Sequence, residues 1–159
     1  MKILMFSICF LWVLKGFAQQ PNKLYEEESR ISRILSKNLN SNLKEDTTYT
    51  FAIEIIPSKS GYIANATDKI AYEIFGNIDS LFKQLNFDLF QDRKAKRRLI
   101  IPVGIVVVNS SNENKGAIIN AEKLPFAVDK MFNVSDKKDR YQSIYLRPFF
   151  AILDKVIYN

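Results

Sequence analysis

Apolar positions recur along this chain in three different rhythms. Between residues 19 and 46 they are sparse, with Ile31, Leu35 and Leu39 spaced by four, a narrow stripe that predicts an amphipathic helix. Glu26, Glu27 and Glu28 fall near its start, where negative charge is favourable against the helix dipole, and read as a solvated first turn. Asn38, Asn40, Ser41 and Asn42 compete for backbone hydrogen bonds and close the segment near residue 44. The rhythm then changes to two. Tyr49, Phe51, Ile53 and Ile55 alternate with Thr48, Thr50, Ala52 and Glu54, as in a half-buried strand. Pro57 to Gly61 is a turn in which glycine supplies a positive φ. Beyond it, Ile70, Tyr72 and Ile74 alternate on one face and predict a second strand over residues 62–74, irregular near Asp68. Ile70, Ile74 and Ile78 also stand at helical spacing and compete with that reading.

Gly76-Asn77 interrupts the pattern, and Asn77 is placed to cap a helix carrying Ile78, Leu81, Phe82 and Leu85. The third rhythm is a continuous apolar run, Leu99 to Val108, rich in β-branched residues and predicted to be a strand buried on both faces. Pro102 has no N–H to give a ladder, so an edge or a bulge is expected there. Near the end, Ile144, Leu146, Phe150 and Ile152 fit a strand, whereas Phe149, Ile152, Leu153 and Val156 fit a helix with Pro148 in its first turn. Residues through 147 read as strand, and the stretch 148–157 stays open between the two. The fold class expected is α+β: a small antiparallel or mixed sheet with a ββαβ core and one packed helix, plus an N-terminal helix and a C-terminal extension.

Residues 1–18 are set apart from that fold. Lys2, the apolar run Ile3–Leu14 and the small-residue pattern Gly16-Phe17-Ala18 have the form of a secretory signal peptide cut after Ala18, and the run is too short to span a bilayer. The chain therefore divides into residues 1–18, an N-terminal helical segment 19–46, a ββαβ unit 47–109 and a C-terminal extension 110–159. Export to the periplasm or exterior of a Gram-negative-type bacterium is the expectation, with no transmembrane segment after cleavage. Losing Lys2 and Lys15 leaves 21 cations against 17 acids, a net charge of +4. Cys9 leaves too, so no disulfide supports the mature fold.

The whole chain has no His, which removes His-based acid–base catalysis, the Ser-His-Asp and Cys-His triads and nearly all zinc sites. Five scattered glycines form no phosphate-binding loop, and no Asp-x-Asp-x-Asp calcium spacing occurs. No cofactor is expected. A carboxylate pair could still hydrolyse a sugar polymer, and Asp68, Asp79, Asp88 and Asp92 are the candidates, each also suited to a turn or cap. The basic run Arg93, Lys94, Lys96, Arg97 and Arg98 could meet an anionic surface, or could simply be a solvated loop that protects the apolar strand after it. The export signal, the modest net charge and the lack of aromatics within the run argue against nucleic acid.

One resemblance joins several of these features. Phe51 to Ile55, Gly61, Ile78-Asp79 opening a helix, and Ile101-Pro102-Val103 in the last strand resemble the TonB C-terminal domain, over about residues 47–108. The chain departs from that family at Phe87-Asp88-Leu89-Phe90, where an aromatic-x-Pro-Ala stretch is usual, and lacks its uncleaved anchor and Pro-rich spacer. The resemblance implies binding of an envelope partner's extended segment along a free sheet edge. It places that edge on Leu99, Ile101, Val103, Ile105 and Val107. The functional expectation is a non-catalytic binding protein of the cell envelope. Its alternatives are a hydrolase of envelope polymers and a self-associating structural protein.

Overall fold

Two strands of 12 residues each lie side by side. The computed structural model describes residues 23–91, 97–109, 124–132 and 142–155. The signal-peptide reading of residues 1–18 therefore lies outside the described residues. In chain order the elements are α1 (residues 23–37), β1 (Thr47–Ser58), β2 (Gly61–Ala66), α2 (Ile70–Phe75), α3 (Ile78–Phe82), a 3-10 turn (Phe87–Phe90), β3 (Arg97–Val108), α4 (Leu124–Phe132), β4 (Gln142–Tyr145) and β5 (Phe149–Asp154). β1 and β3 pair antiparallel, from Thr47 opposite Val107 to Ile55 opposite Leu99. β2 adds to the free side of β1, turning back through Lys59-Ser60 with Gly61 at φ +124°. β4 and β5 both pair with β3, and both run parallel to it. The product is an open, five-stranded mixed sheet in an α+β fold.

Alternation assigns the faces. Phe51, Ile53 and Ile55 of β1 share one face with Leu99, Ile101, Val103, Ile105 and Val107 of β3, and all eight are fully buried. The three N-terminal helices cover this face. α1 contributes Ile31 and Leu35, α2 contributes Ala71, Ile74 and Phe75, and α3 contributes Ile78 and Phe82. Phe75 stands edge-on between Phe51 and Phe149, with ring centroids 6.1 and 6.2 Å away. On the opposite face Ala52 and Ile100 form a small buried pair, and Met131 of α4 reaches Gly104.

Residues 70–75 are helical, so the second strand ends at Ala66 and does not run to residue 74. Asp68 starts the helix by accepting from the Ile70 N–H at 3.1 Å, and Gly76 ends it at φ +71°. Helical spacing buries Ala71, Ile74 and Phe75 together, which alternation would have split between two faces. The next helix begins where expected, with the Asn77 side chain accepting from the Ser80 N–H at 3.0 Å.

Glu27 corrects the picture of a wholly solvated first turn. It is buried, and its carboxylate accepts from the Asn86 N–H at 2.7 Å and from Arg30 at 2.9 Å. Arg30 also donates to the Gln84 carbonyl, so α1 is tied to the chain leaving α3. Replacing the buried Glu27 by Ala removes its part-buried bonds to the Asn86 N–H and Arg30 and is expected to cost about 1–2 kcal/mol. Glu26→Ala, at an exposed site, should change stability by less than about 0.5 kcal/mol, with urea unfolding of both variants as the measurement.

Candidate docking edge

β3 is an interior strand. β1 lies on one side of it and β4 and β5 on the other, and Leu99, Ile101, Val103, Ile105 and Val107 are each 0% exposed. These five residues are therefore core and offer no partner contact, which corrects the expectation that β3 carries the free edge. At Pro102, where an edge or a bulge is expected, pairing stays continuous with β1 and lapses on the other side. The Leu146 N–H donates to the Ile100 carbonyl, so the even-numbered residues of β3 aim their backbone groups at β4 and β5. Pro102 thus has its missing N–H on that side, and pairing lapses there: β4 ends opposite Ile100 and β5 begins opposite Val103.

Across the lapse the register slips by one residue. Arg97 faces Gln142, 45 positions on, whereas Val103 faces Phe149, 46 positions on. β4 and β5 are in effect one edge strand with an extra residue at Leu146-Arg147-Pro148. The slip explains why no single alternation describes residues 144–154. Ile144 and Phe149 pack toward the main core, whereas Phe150 and Ile152 turn to the other face. α1 clamps the break: Glu28 accepts from the Arg147 N–H at 3.3 Å, and the Arg147 guanidinium lies 5.1 Å from the centre of the Tyr25 ring.

The two outer edges of the sheet are finished differently. On β2 the outward N–H of Ala64 donates to Asp79 at 3.0 Å, and that of Ala66 to the Tyr72 hydroxyl at 3.2 Å. Side chains from α3 and α2 thus occupy positions that an added strand would need. On β5 the Lys155 N–H points inward, to the Val108 carbonyl at 2.8 Å. Alternation then turns the backbone groups of Phe150 and Ile152 outward. Among the described residues nothing meets those two N–H groups. Their side chains are also the open ones, at 68% and 76% exposure. The Phe150 ring lies over Gly104, its register partner, where a Cβ would stand 2.7 Å from the ring. Glycine at 104 thus gives the aromatic ring a flat seat.

The charged candidates have other uses. Arg93, Lys94 and Lys96 lie outside the described residues, as does Asp92. Arg97 is half-buried, and its backbone N–H and carbonyl both bond to the Gln91 side chain. Arg98 is buried, donates twice to the Ser143 hydroxyl at 2.9 and 3.1 Å, and stands 3.7 Å from the Glu54 carboxylate. It is accordingly a packing residue between β1, β3 and β4, not a contact for an anionic surface. Asp68 and Asp129 line a cleft of about 200 Å³ with Thr50, Thr67 and Lys130. Asp68 there already faces Lys130 at 3.9 Å, and the Thr67 hydroxyl is bonded to the Ala52 backbone. Asp88 accepts from the Tyr62 hydroxyl. Among the described residues no three His, Cys, Asp or Glu side chains are grouped to hold a metal, and no helix is long and apolar enough to cross a membrane.

Comparison of the chain with family models, curated proteins and solved structures gives no match. The sequence offered a signal for Phe150 and Ile152, since both appear in the alternation that fits a strand. What it lacked was any mark that β2, the other edge, would be closed by residues from two later helices.

Two measurements check this account of the β2 edge. Asp79→Ala should cost about 1–2 kcal/mol and speed hydrogen exchange at the Ala64 amide, followed by NMR. Burial, then the hydrogen bond to Asp88 and its charge, hold the Tyr62 hydroxyl well above its ordinary value of 10.0. The folded state keeps a proton that the unfolded chain gives up. The pair's contribution is therefore full below pH 10.0 and is lost as pH rises above it. Tyr62→Phe should flatten the alkaline decline in stability measured by denaturant midpoints.

Proposed function

We propose that this chain is an exported, non-catalytic protein-binding protein of the bacterial cell envelope, and that it binds by strand addition along the outer edge of β5. The observation that carries the reading is the contrast between the two edges. β2 has its outward amides occupied by Asp79 and Tyr72, whereas β5 presents the N–H groups of Phe150 and Ile152 beside their exposed side chains. An open apolar edge is a liability that proteins usually blunt with charge, proline or a covering segment. Among the described residues one edge is blunted and the other is left ready to pair. Main-chain hydrogen bonds would supply affinity there, and the exposed Phe150 and Ile152 would select an apolar, alternating segment. The resemblance to TonB C-terminal domains supports the same mode of binding, moved from β3 to β5. Export rests on the signal-peptide pattern of residues 1–18.

The test is a benzophenone amino acid placed at Ile152, with Ile63 on the closed β2 edge as the control, irradiated in cells that produce the protein. The expected result is an adduct from position 152, mapped by mass spectrometry to an extended apolar segment of a protein, and none from position 63. Absence of an adduct at 152, or the same adducts from both positions, would overturn the reading.

A further inference from the structure

We infer that the strand fitting this edge is β5 of a second copy, paired antiparallel about a twofold axis through Ala151. The inference rests on reading β5 as a strand-addition edge and names its occupant. The segment Phe149-Phe150-Ala151-Ile152-Leu153 has large apolar residues placed symmetrically about Ala151. A twofold axis there sets Phe150 of each copy opposite Ile152 of the other. Both residues aim their backbone groups outward, so each facing pair exchanges two N–H···O bonds, making four across the axis. Each pair also matches an aromatic with a β-branched side chain, a favourable cross-strand combination.

Neighbouring registers are worse. With the axis at Phe150, the two Phe150 side chains face each other and Ile152 meets Pro148, which has no N–H, so the aromatic–β-branched match is lost and those pairs keep one bond each. With the axis at Ile152, each Phe150 meets Asp154, an exposed carboxylate against an aromatic ring. The strand pair alone falls short of the roughly 1,200 Å² buried in a standard interface. α4 supplies further apolar surface on the same side of the sheet. Its Met131 approaches Gly104 beside the Phe150 ring, while Leu124, Phe126 and Val128 are exposed.

The experiment is sedimentation equilibrium on the protein as cells process it, raised to its highest soluble concentration. A mass twice that of the chain is expected. Ile152→Pro removes an outward N–H while leaving the inward bonds to β3, so it should yield a monomer whose circular dichroism and melting are otherwise preserved. Ala151→Cys tests the register without relying on that variant's folding. At the axis, facing Cα atoms of a non-hydrogen-bonded pair stand about 4.5 Å apart, within disulfide range. Mild oxidation should therefore link Ala151→Cys into a dimer and leave Ile152→Cys largely unlinked, with the unsubstituted protein (its one cysteine is Cys9) as control. A dimer that survives Ile152→Pro, or cross-links at 152 in preference to 151, would overturn the inference. A monomer that still gives a benzophenone adduct with another protein would overturn the second copy and leave the edge reading standing. A monomer with no adduct would bring down both.

Discussion

Everything in this molecule is hung on the β1–β3 ladder. It joins residues 44 to 60 positions apart and is fully buried on its helix-covered face from Phe51 to Ile55 of β1 and from Leu99 to Val107 of β3. β2 extends it on one side and β4 with β5 on the other, while α1, α2 and α3 lie on one face and α4 on the other. The register of that one pairing is strictly constrained. A slip of one residue would send Phe51, Ile53 and Ile55 to the face that now holds Ala52 and Glu54, and would bring Glu54 into the main core. The Glu54–Arg98 pair works in the same direction. It is a buried charge contact across β1 and β3 that brings Glu54, Arg98 and Ser143 together in this register.

The strongest periodicities proved the most readable. The alternation from Tyr49 to Ile55, the continuous run from Leu99 to Val108, and Asn77 as a helix cap each follow from local chemistry, and each is present. Residues 70–75 carried both periods at once, and burial of Ala71, Ile74 and Phe75 against a sheet formed elsewhere decided for the helix. The C-terminal stretch resisted a single assignment because it contains a register slip. No fixed period spans Ile144 and Ile152 when an extra residue lies between them. Which strand would be an edge was beyond local signals. β3 is enclosed because segments some 45 residues later fold back onto it, and β2 is closed by side chains from two separate helices. Arg98 belongs to the basic run in sequence but to the strand in space, and alternation turned it inward.

Pro102 and Pro148 both fall in the stretch where pairing lapses between Ile100–Tyr145 and Val103–Phe149. Pro102 has no N–H to give the neighbouring strand, so β4 and β5 are not held to β3 in one register. The gap has a steric consequence one step further on. It turns Phe150 to the face opposite Ile144 and sets it over Gly104, which has no side chain of its own to fill the space. The exposed ring is thus fixed by its own strand partner rather than by deep burial.

The occupied β2 edge carries a consequence for stoichiometry. A sheet with two open edges can recruit strands without limit, each newcomer offering the next a fresh template, and that is the route to fibres. Here Asp79 and Tyr72 terminate one side, so growth has a single direction. A pairing through β5 that is symmetric consumes the open edge of both participants at once and leaves outward only edges that are already closed. An assembly of that kind would be self-limiting: it would stop at two, and would need no disulfide or metal to stop it.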